Sequence, residues 1–282
     1  MRYLLILVCL FFQIVHGLEK VRYQLGMDPI DVVILCTDKD LPTLDLCIEG
    51  IRKNGQDVRR VIVVSPRRLT DNAELFDEKN YPFTPFDLAL QIFGNEDQAR
   101  TFTMGGSRLG WIYQQLLKLY APFTIPDISS NVLVLDADTI FLNPVSFRGP
   151  FGEGLYNPGS EYEPPYFEHM DRLIPGLKKV FPSYSGISHH MLFQRSPLQD
   201  LLTTIESIHH TEAWKAFCRC MDHQYLHQSA MSEYEIYFNF VFTRSDQMQV
   251  RPLKWINCIP IATLARHRRD GYIYAACHAW CR

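Results

Sequence analysis

The chain lacks an excess of charge of either sign: 28 Lys and Arg face 31 Asp and Glu, a formal charge of −3 at pH 7. A near-neutral surface gives nucleic acid no electrostatic footprint, so no nucleic-acid partner is expected. The 15 Gly and 17 Pro follow no period, which excludes collagen-like and low-complexity architectures. There is no internal repeat and no Asn-x-Ser/Thr glycosylation acceptor. Past residue 17 no apolar run approaches the length of a membrane-spanning helix, about 18 residues. Intrinsic disorder is excluded as well, because 47% of the residues are apolar and only 21% charged. A chain of 282 residues with that composition can bury a large core.

What is present begins with an apolar run, Leu4 to Val15, behind Arg2. It is too short to cross roughly 30 Å of hydrocarbon comfortably as a helix. It matches the apolar region of a secretory signal, with Val15-His16-Gly17 as the cleavage segment. Residues 1–17 are therefore expected to be a signal peptide or a short membrane anchor. The expected destination is the secretory route, secreted or in the lumen of the ER or Golgi, with membrane association if the leader is kept.

Of eight cysteines, Cys9 falls in this leader, and the odd remainder leaves at least one thiol without an intramolecular disulfide partner. Cys36 reads as a buried core thiol. Cys218, Cys220, Cys258, Cys277 and Cys281 are candidates for disulfides in an oxidising compartment, with connectivity open. The segment CRCMDHQYLH also gathers Cys218, Cys220, His223 and His227, a set zinc accepts. Its spacing is not that of a standard zinc module, and a disulfide or a solvated helix end is the plainer reading.

Strands and helices then alternate. Asp31–Cys36, Arg60–Ser65 and Asn131–Leu135 are continuously apolar apart from their ends, the pattern of buried strands in a parallel sheet. Helices are expected over Pro42–Lys53, with Thr43 as a cap, near Phe86–Phe93, over Gly110–Tyr120, from about Pro197, and near Ser232–Phe242. Residues 67–85 read as loop, and Pro122 and Pro126 as the end of the third helix. On that helix Ile112, Leu116 and Leu119 share an apolar side, while Gln114, Gln115 and Lys118 gather on the opposite, polar face. The HMLF segment and Tyr272–Ala276 close the series as strands. The expected fold is α/β: a single domain over 18–282 with a mostly parallel central sheet flanked by helices.

Asp136 and Asp138 follow the third strand directly, and ligands of open α/β sheets bind outside the carboxyl ends of the strands. Two carboxylates at that spacing repel unless a cation holds them, and their hard oxygens suit Mg²⁺ or Mn²⁺, which in turn bind a diphosphate. The plain alternative is a pair of loop carboxylates capping the next turn.

The run VLVLDADTIFLNP resembles the DxD segment of GT-A-fold glycosyltransferases, which are Rossmann-like. Other blocks follow in the same order: CTDKD resembles the nucleotide-gripping loop, GWIYQQLLKLYA the helix beside the donor site, and SEYEIYFNFVF the acidic segment on the acceptor side. YAACHAW places His278 where several GT-A families have a third metal ligand. The chain is thus similar, over residues 30–282, to a GT-A-like group mostly of unassigned substrate.

This resemblance implies a hexosyltransferase-like enzyme that moves a sugar from a nucleotide donor, a UDP-sugar, to a hydroxyl on a glycan, lipid or protein. It implies Mn²⁺ or Mg²⁺ on Asp136, Asp138 and His278, and donor contacts from Thr37, Asp38, Gln115, Asp136 and His190. Adjacent residues of a strand face opposite ways, so only one of His189 and His190 can meet the sugar. Glu233 would be the general base, with a capping role behind Ser232 as its plain alternative. Lys118 would neutralise a phosphate. Trp111, Tyr234 and Trp280 are candidates for stacking on a sugar, and Arg268 for approaching the diphosphate. Two rivals stand beside this reading: a non-catalytic binding relic of the same fold, and a DxDxT phosphohydrolase with Asp136 as nucleophile.

Overall fold

The computed structural model describes residues 18–104 and 107–281, so the expected leader, Cys9 included, lies outside the described residues. In chain order the elements are β1 (Ile30–Leu35), α1 (Leu41–Asn54), β2 (Val58–Ser65), β3 (Glu74–Asp77), α2 (Pro85–Phe93), α3 (Glu96–Thr103), α4 (Leu109–Thr124), β4 (Asn131–Asp136), β5 (Thr139–Phe141), β6 (Leu155–Tyr156), α5 (Pro164–Leu173), β7 (His190–Gln194), α6 (Arg195–His209), α7 (Ala213–Arg219), α8 (Glu233–Arg244), β8 (Gln249–Val250), β9 (Trp255–Ile256), α9 (Leu264–Arg269) and β10 (Tyr274–Ala276).

The three apolar runs become the middle of a five-stranded sheet of order β3-β2-β1-β4-β7. Its first four strands are parallel and β7 runs antiparallel to β4. Every residue of β1 is buried, as expected of a strand covered by helices on both faces. One of them is Asp31, whose charge is held by two bonds from Arg59, at 2.8 and 2.6 Å, and by the Ser129 N–H at 2.8 Å. A buried charge satisfied in this way no longer carries the full cost of desolvation. The molecule is a single α/β domain with a mixed, mostly parallel sheet flanked by helices.

The chain leaves β1 towards β2 and β3 and returns on its other side as β4. The strand order therefore reverses between β1 and β4, and the crevice outside their carboxyl ends is the topological switch point, where open α/β sheets hold ligands. A second, three-stranded sheet of order β5-β10-β9 sits beside it. There β10 runs antiparallel to β5, with Ala276 opposite Thr139. A disulfide between Cys258 and Cys281 ties down the segment that follows β10.

Several local expectations are corrected. Thr43 is not a cap but lies inside α1, its hydroxyl donating to the Asp40 carbonyl at 3.0 Å. The helix α4 passes through Pro122 and ends at Thr124. The missing N–H of Pro122 falls in the last turn and removes one ladder bond, while Ile125 still donates to the Ala121 carbonyl at 3.3 Å. Strand β3 forms within the segment read as loop, and α3 was not anticipated. Only Ala99 and Phe102 of α3 are buried, too few to give a periodic apolar signal, and its start is set by Asn95 accepting from the Gln98 N–H. The zinc-like set does not gather: Cys218 is in the core, Cys220 lies 3.9 Å from His209 Nε2, and His223 bonds the Ile92 carbonyl at 3.0 Å. Among the described residues, no helix is long and apolar enough to cross a membrane.

His169 on α5 is buried, and its Nε2–H donates to the Phe217 carbonyl at 2.9 Å. Burial lowers its pKa from 6.5 to about 4, so the folded chain keeps it neutral. Above pH 6.5 this costs nothing, because both states are unprotonated. As the pH falls towards 4, the unfolded chain gains a proton that the folded chain refuses, and up to about 3 kcal/mol of stability is lost. Urea denaturation at about pH 7 and about pH 4.5 should show a smaller acid loss for His169→Gln than for the parent chain.

Candidate active site

The last residue of β4, Asp136, is met from two sides. Lys118, six residues before the end of α4, reaches Asp136 Oδ1 at 2.7 Å and Glu233 Oε1 at 2.8 Å. Lys118 is 3% exposed and Glu233 1% exposed, so that pair is buried, while the Asp136 carboxylate is partly open to solvent. The Tyr234 ring lies 4.3 Å from the ammonium and completes its surroundings. Burial disfavours the Lys118 charge, but Asp136 and Glu233 outweigh it and hold the pKa well above that of an ordinary lysine. Burial pushes the Glu233 carboxyl up, against the pull of Lys118.

The polar face expected of α4 is therefore not solvated. The helix packs against β1, α2, α6 and α8, which buries Gln115 with Lys118 and leaves only Gln114 of the three part-exposed. The cap expected at α8 is present too, since Ser232 accepts from the Glu235 N–H at 3.2 Å. Glu235 points away from Lys118 and is held by the Ser185 hydroxyl at 2.7 Å, the Gly186 N–H at 2.9 Å and the Asn239 amide at 2.8 Å. The close approach at Gly186 requires glycine, because a Cβ there would lie 2.5 Å from Phe238 Cβ.

Asp138 is met by the end of the chain. The pairing of β10 with β5 carries Cys277 and His278 alongside it: the Cys277 N–H donates to the Asp138 carbonyl at 2.9 Å, and His278 Nδ1 lies 2.7 Å from Asp138 Oδ2. The His278 ring stacks on Trp280 at 4.4 Å, and Trp280 is 78% exposed. Cys281 ties this tail down through its disulfide to Cys258 while His278 reaches the Asp138 carboxylate.

The two adjacent histidines do face opposite ways, but the parity is reversed from the one expected. His190 turns into the core among Phe141, Phe147 and Tyr274, with ring centroids 5.3, 5.5 and 5.1 Å away. Burial lowers its pKa to about 3. His189 turns towards the carboxylates, its ring 5.3 Å from His278 and 5.1 Å from Trp255. Burial lowers its pKa too.

Leu35 pairs with Asp136 across β1 and β4, so the loop after β1 opens beside the carboxylates. A cleft of 460 Å³ lies there, lined by Cys36, Thr37, Lys39, Trp111, Tyr113 and Gln114, among others. Thr37 lines this cleft, whereas Asp38 points to solvent and pairs with Arg67. Gln114, not Gln115, faces the cleft, because the two glutamines are one helical step apart and α4 presents only one of them. Trp111 stacks on Tyr166 at 6.4 Å and carries Arg108 at 4.7 Å. Arg268 lies elsewhere, in a groove with Glu49 and Lys53 of α1.

Asp138 and His278 form a carboxylate–imidazole pair whose donor atoms converge, a set that Mn²⁺ or Mg²⁺ accepts with further oxygens from outside the protein. Asp136 is turned to Lys118 instead. Among the described residues, no three His, Cys, Asp or Glu side chains gather into a metal-holding group by themselves. The donors present fit an open site completed by a ligand, not a closed structural one.

Residues 30–253 match DUF6492, a family of unknown function. The chain belongs to DUF6492. Among solved structures, this DUF6492 chain is similar to the WbbM bifunctional glycosyltransferase at 13% identity and a TM-score of 0.43, over 91% of this chain and 47% of that one. It thus spans about half the length of that protein. It is also similar to an active-site mutant of LgtC, at 14% identity and 0.42, over 88% and 86%. A third is mouse xyloside xylosyltransferase 1, at 10% identity and 0.41, over 88% and 97%. Likenesses this weak assign no activity to the DUF6492 chain. No curated protein matches it.

Lys118→Ala would leave Asp136 and Glu233 facing each other without their shared cation, and is expected to cost about 3–5 kcal/mol. Lys118→Ala/Glu233→Ala should recover much of that loss. Denaturant midpoints of the parent and the two variants check both statements.

Proposed function

We propose that the chain is a metal-dependent glycosyltransferase of the GT-A type, moving a hexose-like sugar from a UDP-sugar to a hydroxyl on a glycan, lipid or protein. The observation that carries this reading is the convergence at the switch point. Asp136 and Asp138 stand at the carboxyl end of β4, one engaged by Lys118 and the other by His278, and Leu35, which pairs with Asp136, lines a cleft of 460 Å³. The donor and acceptor classes come from the DxD resemblance.

Thr37 and Gln114 would meet the nucleoside in the cleft, with Asp38 at its rim. Asp138 and His278 would hold Mn²⁺ or Mg²⁺; when bound, such an ion offsets the charge that develops on a departing diphosphate. His189, kept neutral by burial, would offer a ring nitrogen to a sugar hydroxyl in place of His190. Trp280 carries His278 on one face and offers its exposed surface to a sugar ring.

The base assignment changes. Glu233 is buried and bonded to Lys118, so taking a proton from an acceptor would strip Lys118 of a partner. Its role is to hold Lys118 in place. A course in which the departing phosphate oxygen takes the acceptor proton, with retention of configuration, suits this site better than in-line attack with Glu233 as base.

Calorimetric titration of the full chain with UDP should give binding with Mn²⁺ and none without it. No binding in either condition would sink the reading, and metal-dependent hydrolysis of a phosphomonoester in its place would turn the assignment to a phosphohydrolase. Asp138→Asn should abolish the metal-dependent binding of UDP. His278→Ala should weaken Mn²⁺ binding by about tenfold or more, as read from a metal titration at saturating UDP.

A further inference from the structure

Lys118 occupies a position that a divalent ion on the DxD carboxylates would also claim. Its ammonium bonds Asp136 Oδ1 and Glu233 Oε1 at 2.7 and 2.8 Å, while Asp138 is engaged by His278. One ammonium thus stands between two carboxylates, with the third, Asp138, held apart by His278. The stem of Lys118 rises from a helix packed on four other elements, Glu233 holds it from behind, and the Tyr234 face closes one side. Asp136 differs from Glu233 in one respect: its side chain is 30% exposed, against 2% for Glu233. It is the partner that can turn outward, and Glu233 is the partner that stays.

We propose that Lys118 is an internal counter-ion that competes with the divalent cation for Asp136. Without the cation it neutralises both carboxylates. When the cation arrives it yields Asp136 and keeps Glu233. Two cations in a poorly solvated site repel each other, so the ion alone binds weakly. A diphosphate brings enough negative charge to keep both in place, and nucleotide and metal therefore bind together more readily than the metal alone. This inference rests on the glycosyltransferase reading for the presence of a metal, and on the ion pairs of Lys118 for the competition.

The test uses the full chain and follows the spectrum of free aqueous Mn²⁺ by electron paramagnetic resonance, which needs no turnover. Lys118→Met removes the charge at similar volume. Lys118→Met/Glu233→Gln removes one charge of each sign, so it keeps the net charge of the site and guards against a fold lost to unpaired carboxylates. Without nucleotide, the folded variants should bind Mn²⁺ about tenfold or more tighter than the parent chain, and UDP should add less to Mn²⁺ affinity than it does in the parent. Because the double variant leaves net charge unchanged, tighter binding there reports the release of Asp136 itself. Mn²⁺ affinity equal to or below that of the parent in the folded double variant overturns the inference while leaving the glycosyltransferase reading intact. A parent chain that takes up no Mn²⁺, with UDP or without, overturns that reading and this inference together.

Discussion

A lysine ammonium does not enter a protein interior alone, and the requirement that Lys118 find its two carboxylates organises the site. Asp136 ends the central strand β4, Glu233 opens α8, and Lys118 lies in the last turns of α4, so one group fixes three elements that are distant in the chain. Each element is then held on its far side. The start of α8 is set by Ser232, and the Ser185–Gly186 loop is clasped by Glu235. Removing Lys118 leaves Glu233 buried without a cationic partner, which costs far more than the loss of a surface ion pair.

The second half of the site depends on sheet geometry instead. Asp138 and His278 meet because β10 lies antiparallel to β5, and β5 begins one residue after Asp138. Strand pairing sets the register, and the register sets which side chain arrives: a slip of one residue would bring Cys277 or Ala279 to the carboxylate in place of His278. The disulfide from Cys258 to Cys281 holds the far side of that short tail.

Much of the frame was legible in the sequence because it is written in apolar runs. The strands around Val33, Val63 and Val134 have no polar alternation and could only be buried, and Asp136 and Asp138 stood at the end of one of them. The facing of polar residues was not legible. Gln115 and Lys118 looked solvated because amphipathic reasoning assigns polar residues to water, and nothing local announces that carboxylates from 18 and 115 residues away will meet Lys118. His189 and His190 gave the alternation but not its parity, which depends on how β7 pairs with β4. Glu233 and Glu235 open the same helix, and the structure gives them different partners. That the partner of Glu233 would be Lys118, and that this engagement would leave it ill suited to proton transfer, lay beyond local pattern. The Cys258–Cys281 pairing likewise had no local signal.

The placement of β10 bears on the order of synthesis. Asp138 and His278 stand 140 residues apart, and the histidine follows every other described strand and long helix. A growing chain can assemble β1, β2, β4 and the Lys118–Asp136 contact well before His278 emerges. The Asp136 and Asp138 carboxylates are therefore made 140 or more residues ahead of the imidazole, with Lys118 on hand to hold Asp136 in the meantime. Long-range pairings of this kind form late, so the Asp138–His278 contact is expected to follow the assembly of the β1–β2–β4 core.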